Sequence, residues 1–162
     1  MASAHLTEAQ TLVDQVRSAG QPTNNAYQAA GEPAVVAWGR PGDPASWIIR
    51  AQCSSFLTSV LKRAYPGWAT DAFFTRYFGG PVPRARRYQQ AWATGQVPHF
   101  QVVARVADLR PGDLIGIDYG AGAGTGTGTG HVVIVRSGKG VYTGNMTFAG
   151  ETQHAVEVID CT

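Results

Sequence analysis

The spacing of apolar residues changes near residue 100 of this 162-residue chain, and that change constrains the fold more than any other feature. Before it, apolar residues recur at helical spacing, which predicts four helices, at residues 6–19, 53–65, 71–78 and 84–94. After it come short runs rich in Val and Ile between Gly, Pro or Asp turns, which predict strands at residues 100–106, 114–119, 132–136, 141–145 and 155–160. Helices followed by antiparallel strands indicate an α+β fold.

Two segments show neither period. Residues 21–46 are rich in Gly, Pro and Asn and predict a long surface connection with a short helix. Residues 120–130 alternate Gly with Ala or Thr and predict a mobile loop. A phosphate-binding loop would lead into the N-terminus of a helix, whereas this loop leads into a strand, so we do not predict phosphate binding. The length fits one domain, 1–162, with an N-terminal helix and surface segment at 1–46 and a core at 47–162.

The charge pattern argues against two classes of partner. With 13 Lys and Arg against 11 Asp and Glu, the chain has no polybasic field for nucleic acid or an anionic membrane. No run of about 18 apolar residues exists, and Met1–His5 lacks the features of a secretory signal. We predict no nucleic-acid, membrane or obligate protein partner. The compartment stays open, because removal of a leader and non-classical export are both compatible with this sequence.

Cys53 opens the helix predicted at 53–65, where unpaired backbone N–H groups and partial positive charge favour the thiolate. A helix that began near residue 44 or 46 would place Cys53 two turns inside and remove that effect. The second cysteine, Cys161, allows a disulfide, although a two-cysteine chain does not resemble a disulfide-stapled scaffold. The four histidines are scattered, and no Cys or His spacing suits zinc, so we predict no metal.

Three features in a fixed order resemble a known family. They are the cysteine at a helix start, the Arg-Pro-Gly-Asp turn at 110–113 leading into a strand, and the Gly-His-Val-Val-Ile-Val strand at 130–135. Over residues 52–160 the chain resembles the NlpC-type branch of the papain-like cysteine peptidases, with the CHAP amidases as relatives. The resemblance implies a papain-like fold, in which the nucleophile helix packs on an antiparallel sheet and the Cys53 thiol faces His131.

The resemblance also implies a reaction without metal or organic cofactor. His131 takes the thiol proton, Cys53 attacks an amide carbonyl, and water then releases the acyl-enzyme. In this fold the group that orients the histidine comes from the strand antiparallel to it. Asp160 and Asn145 both fit that position, and His154 is a lesser alternative. We favour Asp160, because a carboxylate stabilises imidazolium better than an amide and Asn145 beside Gly144 also suits a turn.

The oxyanion requires a second donor beside the backbone N–H of Cys53. Gln52 and a residue of the preceding loop are the candidates, and the sequence does not choose between them. A solvated position at the helix start explains Gln52 equally well. Core packing is the favoured interpretation of the aromatic residues, with a groove for a peptide or glycan as the alternative. This aromatic set comprises Trp38, Trp47, Trp68, Trp92, Tyr65, Tyr77 and Tyr88.

The resemblance alone points to amide bonds in peptidoglycan stem peptides as the substrate, since a fold does not fix a function. Two departures weaken that assignment: Cys53 is followed by Ser-Ser where Ser-Gly is usual, and no cell-wall-binding repeat is attached. Two alternatives therefore stay open. One is an acyltransferase or transglutaminase-like relative with the same Cys-His pair. The other is a non-enzymatic interaction domain in which Cys53 is structural.

Overall fold

The computed structural model describes residues 2–20, 22–29, 31–120, 130–144 and 150–161. The four predicted helices are present as α1 (Ala4–Ala19), α2 (Cys53–Ala64), α3 (Asp71–Phe78) and α4 (Ala85–Ala93). Two of them end where the sequence indicates, because Gly20 and Gly79 adopt the left-handed conformation that glycine tolerates best. Of the described residues, no helix has the length and apolar character needed to cross a bilayer.

The first half also contains a small sheet that the sequence analysis missed. It consists of β1 (Asn25–Tyr27), β2 (Val35–Ala37) and β3 (Ile48–Ala51), in the order β1-β3-β2. β1 runs parallel and β2 antiparallel to β3. The prediction of a surface connection over residues 21–46 was therefore wrong in part. Strands of three residues are too short to show a period, and their pairing with β3 stabilises them.

The second half forms the expected antiparallel sheet, from β4 (Leu114–Asp118), β5 (Gly130–Val141) and β6 (His154–Ile159), in the order β4-β5-β6. Three of the predicted strands differ from the observed ones. Residues 100–106 form no strand, and the strands expected at 132–136 and 141–145 are not separate, because β5 continues to Val141 through two irregularities in its pairing with β6. Residues 121–129 of the predicted mobile loop lie outside the described part of the chain.

Helix α2 lies at the centre of the molecule and contacts α1, β3 and β5. Eight of its residues are buried, which leaves little of the helix facing water. The buried positions are Cys53, Ser54, Ser55, Phe56, Leu57, Thr58, Val60 and Leu61. The fold is thus α+β, with α2 against the central strand of the antiparallel sheet, and this contact brings the start of α2 to the start of β5.

Candidate active site

The first helical residue of α2 is Cys53. Gln52 is extended, with φ −91° and ψ 165°, and its backbone N–H donates to Ser55 Oγ at 2.9 Å. The first helical bond, from Phe56 N–H to the Gln52 carbonyl, measures 2.9 Å. An earlier start is ruled out, because Pro44–Ser46 form a separate 3-10 turn and β3 follows it. The prediction that Cys53 begins this helix is therefore confirmed.

The Cys53 thiol lies among backbone donors, yet its pKa moves upward. Burial raises this pKa, since the residue is only 7% exposed and a thiolate there would lose its hydration. The N–H groups of Val132, Ser54 and Cys53 act in the opposite direction, and the charge of Asp160 adds to the rise. The expectation that the helix start would favour the thiolate is corrected, because burial outweighs the N–H groups.

His131 lies at the start of β5 and is held by Asp160. The Nε2 of the imidazole is 2.8 Å from Asp160 Oδ2, and both side chains are largely buried. A carboxylate only accepts hydrogen bonds, so Nε2 carries the proton and Nδ1 of the neutral ring keeps its lone pair. The other oxygen of Asp160 accepts the backbone N–H of Cys161 at 2.6 Å. The carboxylate is thereby fixed at both oxygens.

The topology explains why these residues meet. Ile134 of β5 pairs with Ile159 of β6 in antiparallel register, so the residues that precede Ile134 lie beside those that follow Ile159. His131 and Asp160 therefore share one end of the sheet. The N–H of Val132, the residue after His131, faces the Cys53 thiol. The structure thus brings Cys53, His131 and Asp160 to the same end of the domain.

The other predicted candidates have different positions. His154 pairs with Val141 at the opposite end of β5 and cannot contact His131 from there. Asn145 lies outside the described residues. The backbone N–H of Gln52 is already bonded to Ser55 Oγ, so only the side-chain amide of Gln52 is left as an oxyanion donor.

Two further residues, Tyr27 and Cys161, lie beside the site. Tyr27 ends β1 opposite Ala51. Burial raises the pKa of its phenol, and the charges of Cys53, Cys161 and Asp160 add to the rise. Cys161 donates its thiol to the Ala51 carbonyl at 3.0 Å. Burial raises the pKa of Cys161 to about 11, with Asp160 and Cys53 adding to the rise. The pairing that brings Tyr27 here is too short to leave a sequence signal.

Glycine is required at the first position of β5. A Cβ on Gly130 would collide with the carbonyl of Ile117 on β4 and would lie 3.4 Å from the backbone N of Arg86. Arg86 Nε is in turn 3.1 Å from Asp118 Oδ2, which ties the start of α4 to the end of β4. This close approach sets the position of His131, the next residue of β5.

Both cysteines are free thiols. Within the described ranges, no group of three or more His, Cys, Asp or Glu side chains is arranged to hold a metal ion. A groove of about 1150 Å³ lies at the other end of α2, next to Leu61 and Tyr65, and Cys53, His131 and Asp160 do not line it. The groove and the candidate catalytic residues are therefore separate features.

Comparison with known proteins gives no match: no family model, no curated protein and no solved structure matches the chain.

Proposed function

We propose that this protein is a papain-like cysteine peptidase or amidase of NlpC type, with Cys53 as nucleophile, His131 as base and Asp160 as the residue that orients His131. The observation that carries the proposal is the 2.8 Å bond between His131 Nε2 and Asp160 Oδ2, beside a helix-start thiol. This bond leaves the Nδ1 lone pair of His131 free to accept a proton.

The reaction begins from the protonated thiol, because burial raises the pKa of Cys53. As Sγ bonds to the carbonyl carbon, its proton passes to Nδ1 of His131, and the carbonyl electron pair moves onto oxygen. The backbone N–H of Cys53, which is not used in α2, stabilises that oxyanion, with the Gln52 amide as a second donor. When the C–N bond breaks, His131 returns the proton to the amine and a thioester remains.

Hydrolysis of the thioester restores the site. His131 Nδ1 accepts a proton from water, the hydroxide oxygen bonds to the acyl carbon, and Sγ leaves and regains the proton. The hydrogen bond from Nε2 to Asp160 stabilises the imidazolium in both halves of the cycle. Because each oxygen of Asp160 takes part in a hydrogen bond, the carboxylate cannot rotate freely, and the imidazole keeps one orientation throughout the cycle.

The proposed substrates are amide bonds in peptidoglycan stem peptides, and the resemblance to NlpC-type enzymes is the support for this choice. The test is to incubate muropeptides with the wild-type protein and with Cys53→Ala, His131→Ala and Cys161→Ala, and to follow products by mass spectrometry. We expect wild type and Cys161→Ala to give pairs of fragments whose masses sum to the substrate plus one water. His131→Ala should be slower by about 10²–10⁴-fold.

Cleavage by Cys53→Ala, or no cleavage of any muropeptide by the wild type, would contradict the proposal. Adding glycinamide to the same reactions distinguishes hydrolysis from acyl transfer. If the amide product exceeds the acid while Cys53 is still required, the protein is an acyltransferase that uses the same residues.

One observation favours a second candidate, a non-enzymatic interaction domain. The thiol of Cys53 is nearly buried and its pKa is raised, as expected for a structural cysteine. That function predicts that Cys53→Ala leaves binding of any partner unchanged and that no fragment is released from muropeptides.

A further inference from the structure

Residues 101–105, between α4 and β4, have the composition of a strand but form none. Their sequence is Gln-Val-Val-Ala-Arg, and every one of these residues is exposed. Among the described residues, none of the backbone groups of 101–104 takes part in a hydrogen bond; the nearest bonds are Phe100 N–H to Val97 O and Asp108 N–H to Arg105 O. Arg105 has extended backbone angles, φ −131° and ψ 136°. The segment presents free N–H and C=O groups to its surroundings.

The side chains of this segment add apolar surface. Val102 is 62% exposed and Val106, which follows the segment, is 57% exposed. Both valines and the residues between them line the groove of about 1150 Å³. Isolated exposed valines are ordinary, but several along one cavity indicate an interaction surface.

A second backbone edge borders the same groove. Leu114, Ile115 and Gly116 of β4 line it, and in the described part of the chain β4 has a strand neighbour, β5, on one side only. Trp68, Trp92 and Phe100 supply aromatic surface to the lining. The groove therefore combines apolar side chains with two stretches of backbone, 101–105 and 114–116, at which an added strand can pair.

The charge of the groove limits what binds there. Two arginines and two aspartates line it, so their charges sum to zero. Arg105 is paired with Asp108 at 2.8 Å, and Asp113 accepts the backbone N–H of Arg110 at 2.7 Å. His5 is already bonded to the Tyr65 hydroxyl and the Gly112 carbonyl. An uncharged occupant suits this lining, and the volume exceeds the roughly 300–1,000 Å³ of small-molecule sites.

We infer that this groove binds an extended, uncharged segment of a partner protein by strand addition, with β-branched or aromatic side chains at alternate positions. The backbone of this partner segment pairs with residues 101–104, whose backbone groups are unbonded among the described residues, and its alternate side chains contact the valines and aromatic rings of the groove. This binding does not depend on Cys53 and extends beyond the proposed hydrolysis.

The test uses the full chain and fluorescein-labelled eight-residue peptides with Val, Ile, Tyr or Phe alternating with Thr or Ser. Binding is measured by fluorescence anisotropy, and hydrogen exchange is followed by mass spectrometry. We expect saturable binding, slower exchange of the amides of 101–106, and at least tenfold weaker binding by Val102→Asp and Val106→Asp. Val82→Asp is the matched control, because Val82 is 52% exposed and does not line the groove.

Three outcomes would overturn the inference: no peptide binds at millimolar concentration, binding persists in both groove variants, or exchange in 101–106 is unchanged on binding. Sedimentation velocity adds a fourth. If the protein alone is a dimer that Val102→Asp dissociates and Val82→Asp does not, a second copy of the chain occupies the groove in place of a partner protein. In each variant, alkylation of Cys53 that is as slow as in the wild type shows that the rest of the fold is intact.

Discussion

At the scale of single residues, burial and the backbone N–H groups of β5 and the helix start act on the pKa of Cys53 in opposite directions. Three backbone N–H groups lower the pKa of the thiol, but the loss of hydration is the larger effect. A cysteine at a helix start is therefore not enough to predict a thiolate. The exposure of the sulfur, which depends on the sheet packed against it, decides the resting protonation state.

This result predicts the pH dependence of Cys53 alkylation. In a Cys161→Ala background, the rate of reaction with iodoacetamide should rise with a midpoint above the usual thiol value of about 8.5, because the raised pKa delays thiolate formation. His131→Ala should leave the midpoint above this value, since burial, the nearby N–H groups and the charge of Asp160 act on the pKa of Cys53. A midpoint far below 8.5 that depends on His131 would instead show a thiolate–imidazolium pair in the resting protein.

At the scale of elements, the start of β5 is fixed by a backbone contact. Gly130 lies so close to the Ile117 carbonyl that any side chain would separate β5 from β4. Gly138 lies in the same strand, and a Cβ there would meet nothing within 4 Å. The two glycines are therefore a matched pair, and only one of them controls the position of His131.

We predict that Gly130→Ala lowers the free energy of unfolding by about 1–3 kcal/mol, the usual cost of overpacking. It should also slow the proposed muropeptide cleavage by displacing His131 from Asp160. Gly138→Ala should change both quantities little. Urea unfolding and cleavage rates measure the two effects. Equal results for the two variants would show that β5 adjusts to the added methyl group without moving the site.

A buried hydroxyl pair joins α2 to α4. Thr58 donates to the Ser54 carbonyl at 2.7 Å, and its oxygen lies 2.7 Å from the hydroxyl of Tyr88. Since Thr58 has a single hydroxyl proton, Tyr88 is the donor between them. Tyr88 is fully buried, and this burial raises the pKa of its phenol, so the hydroxyl keeps its proton.

The direction of this hydrogen bond predicts an asymmetry. Thr58→Val leaves the Tyr88 hydroxyl buried without an acceptor and should reduce the free energy of unfolding by about 1–3 kcal/mol. Tyr88→Phe removes the donor instead and should cost only about 0.5–1.5 kcal/mol. The double variant should lose less than the sum of the two. Urea denaturation of the three variants provides the values, and a larger loss for Tyr88→Phe would reverse the assigned donor.

Some elements of the fold can be predicted from the sequence, and others cannot. Local spacing predicts helices α1 to α4 and strands β4 to β6, whereas the proposed grouping of Cys53, His131 and Asp160 rests on the resemblance. The strand at residues 100–106 was wrongly predicted, because its composition favours a strand but no described segment pairs with it. β1 was missed for the opposite reason: pairing with β3 forms it without a local signal.

At the scale of the whole molecule, the candidate site joins four distant segments of the chain. Tyr27, Cys53, His131 and Asp160 come from two sheets and a helix, which are held together by the packing around α2. Asp160 is the most distant in sequence, and its position depends on β6 remaining paired with β5. The site is therefore formed only while both sheets are folded.

Cys161 can report whether this assembly unfolds as one unit. Its thiol is 7% exposed, is bonded to the Ala51 carbonyl across the two sheets, and has a pKa raised to about 11, so it should react slowly while folded. In a Cys53→Ala variant at pH 8, we predict that the labelling of Cys161 rises with urea along the same transition as the helical circular dichroism signal. Coincident curves mean that the end of β6 is released only on global unfolding. If labelling precedes the loss of helix, the end of β6 opens locally, and Asp160 leaves His131 in a molecule that is otherwise folded.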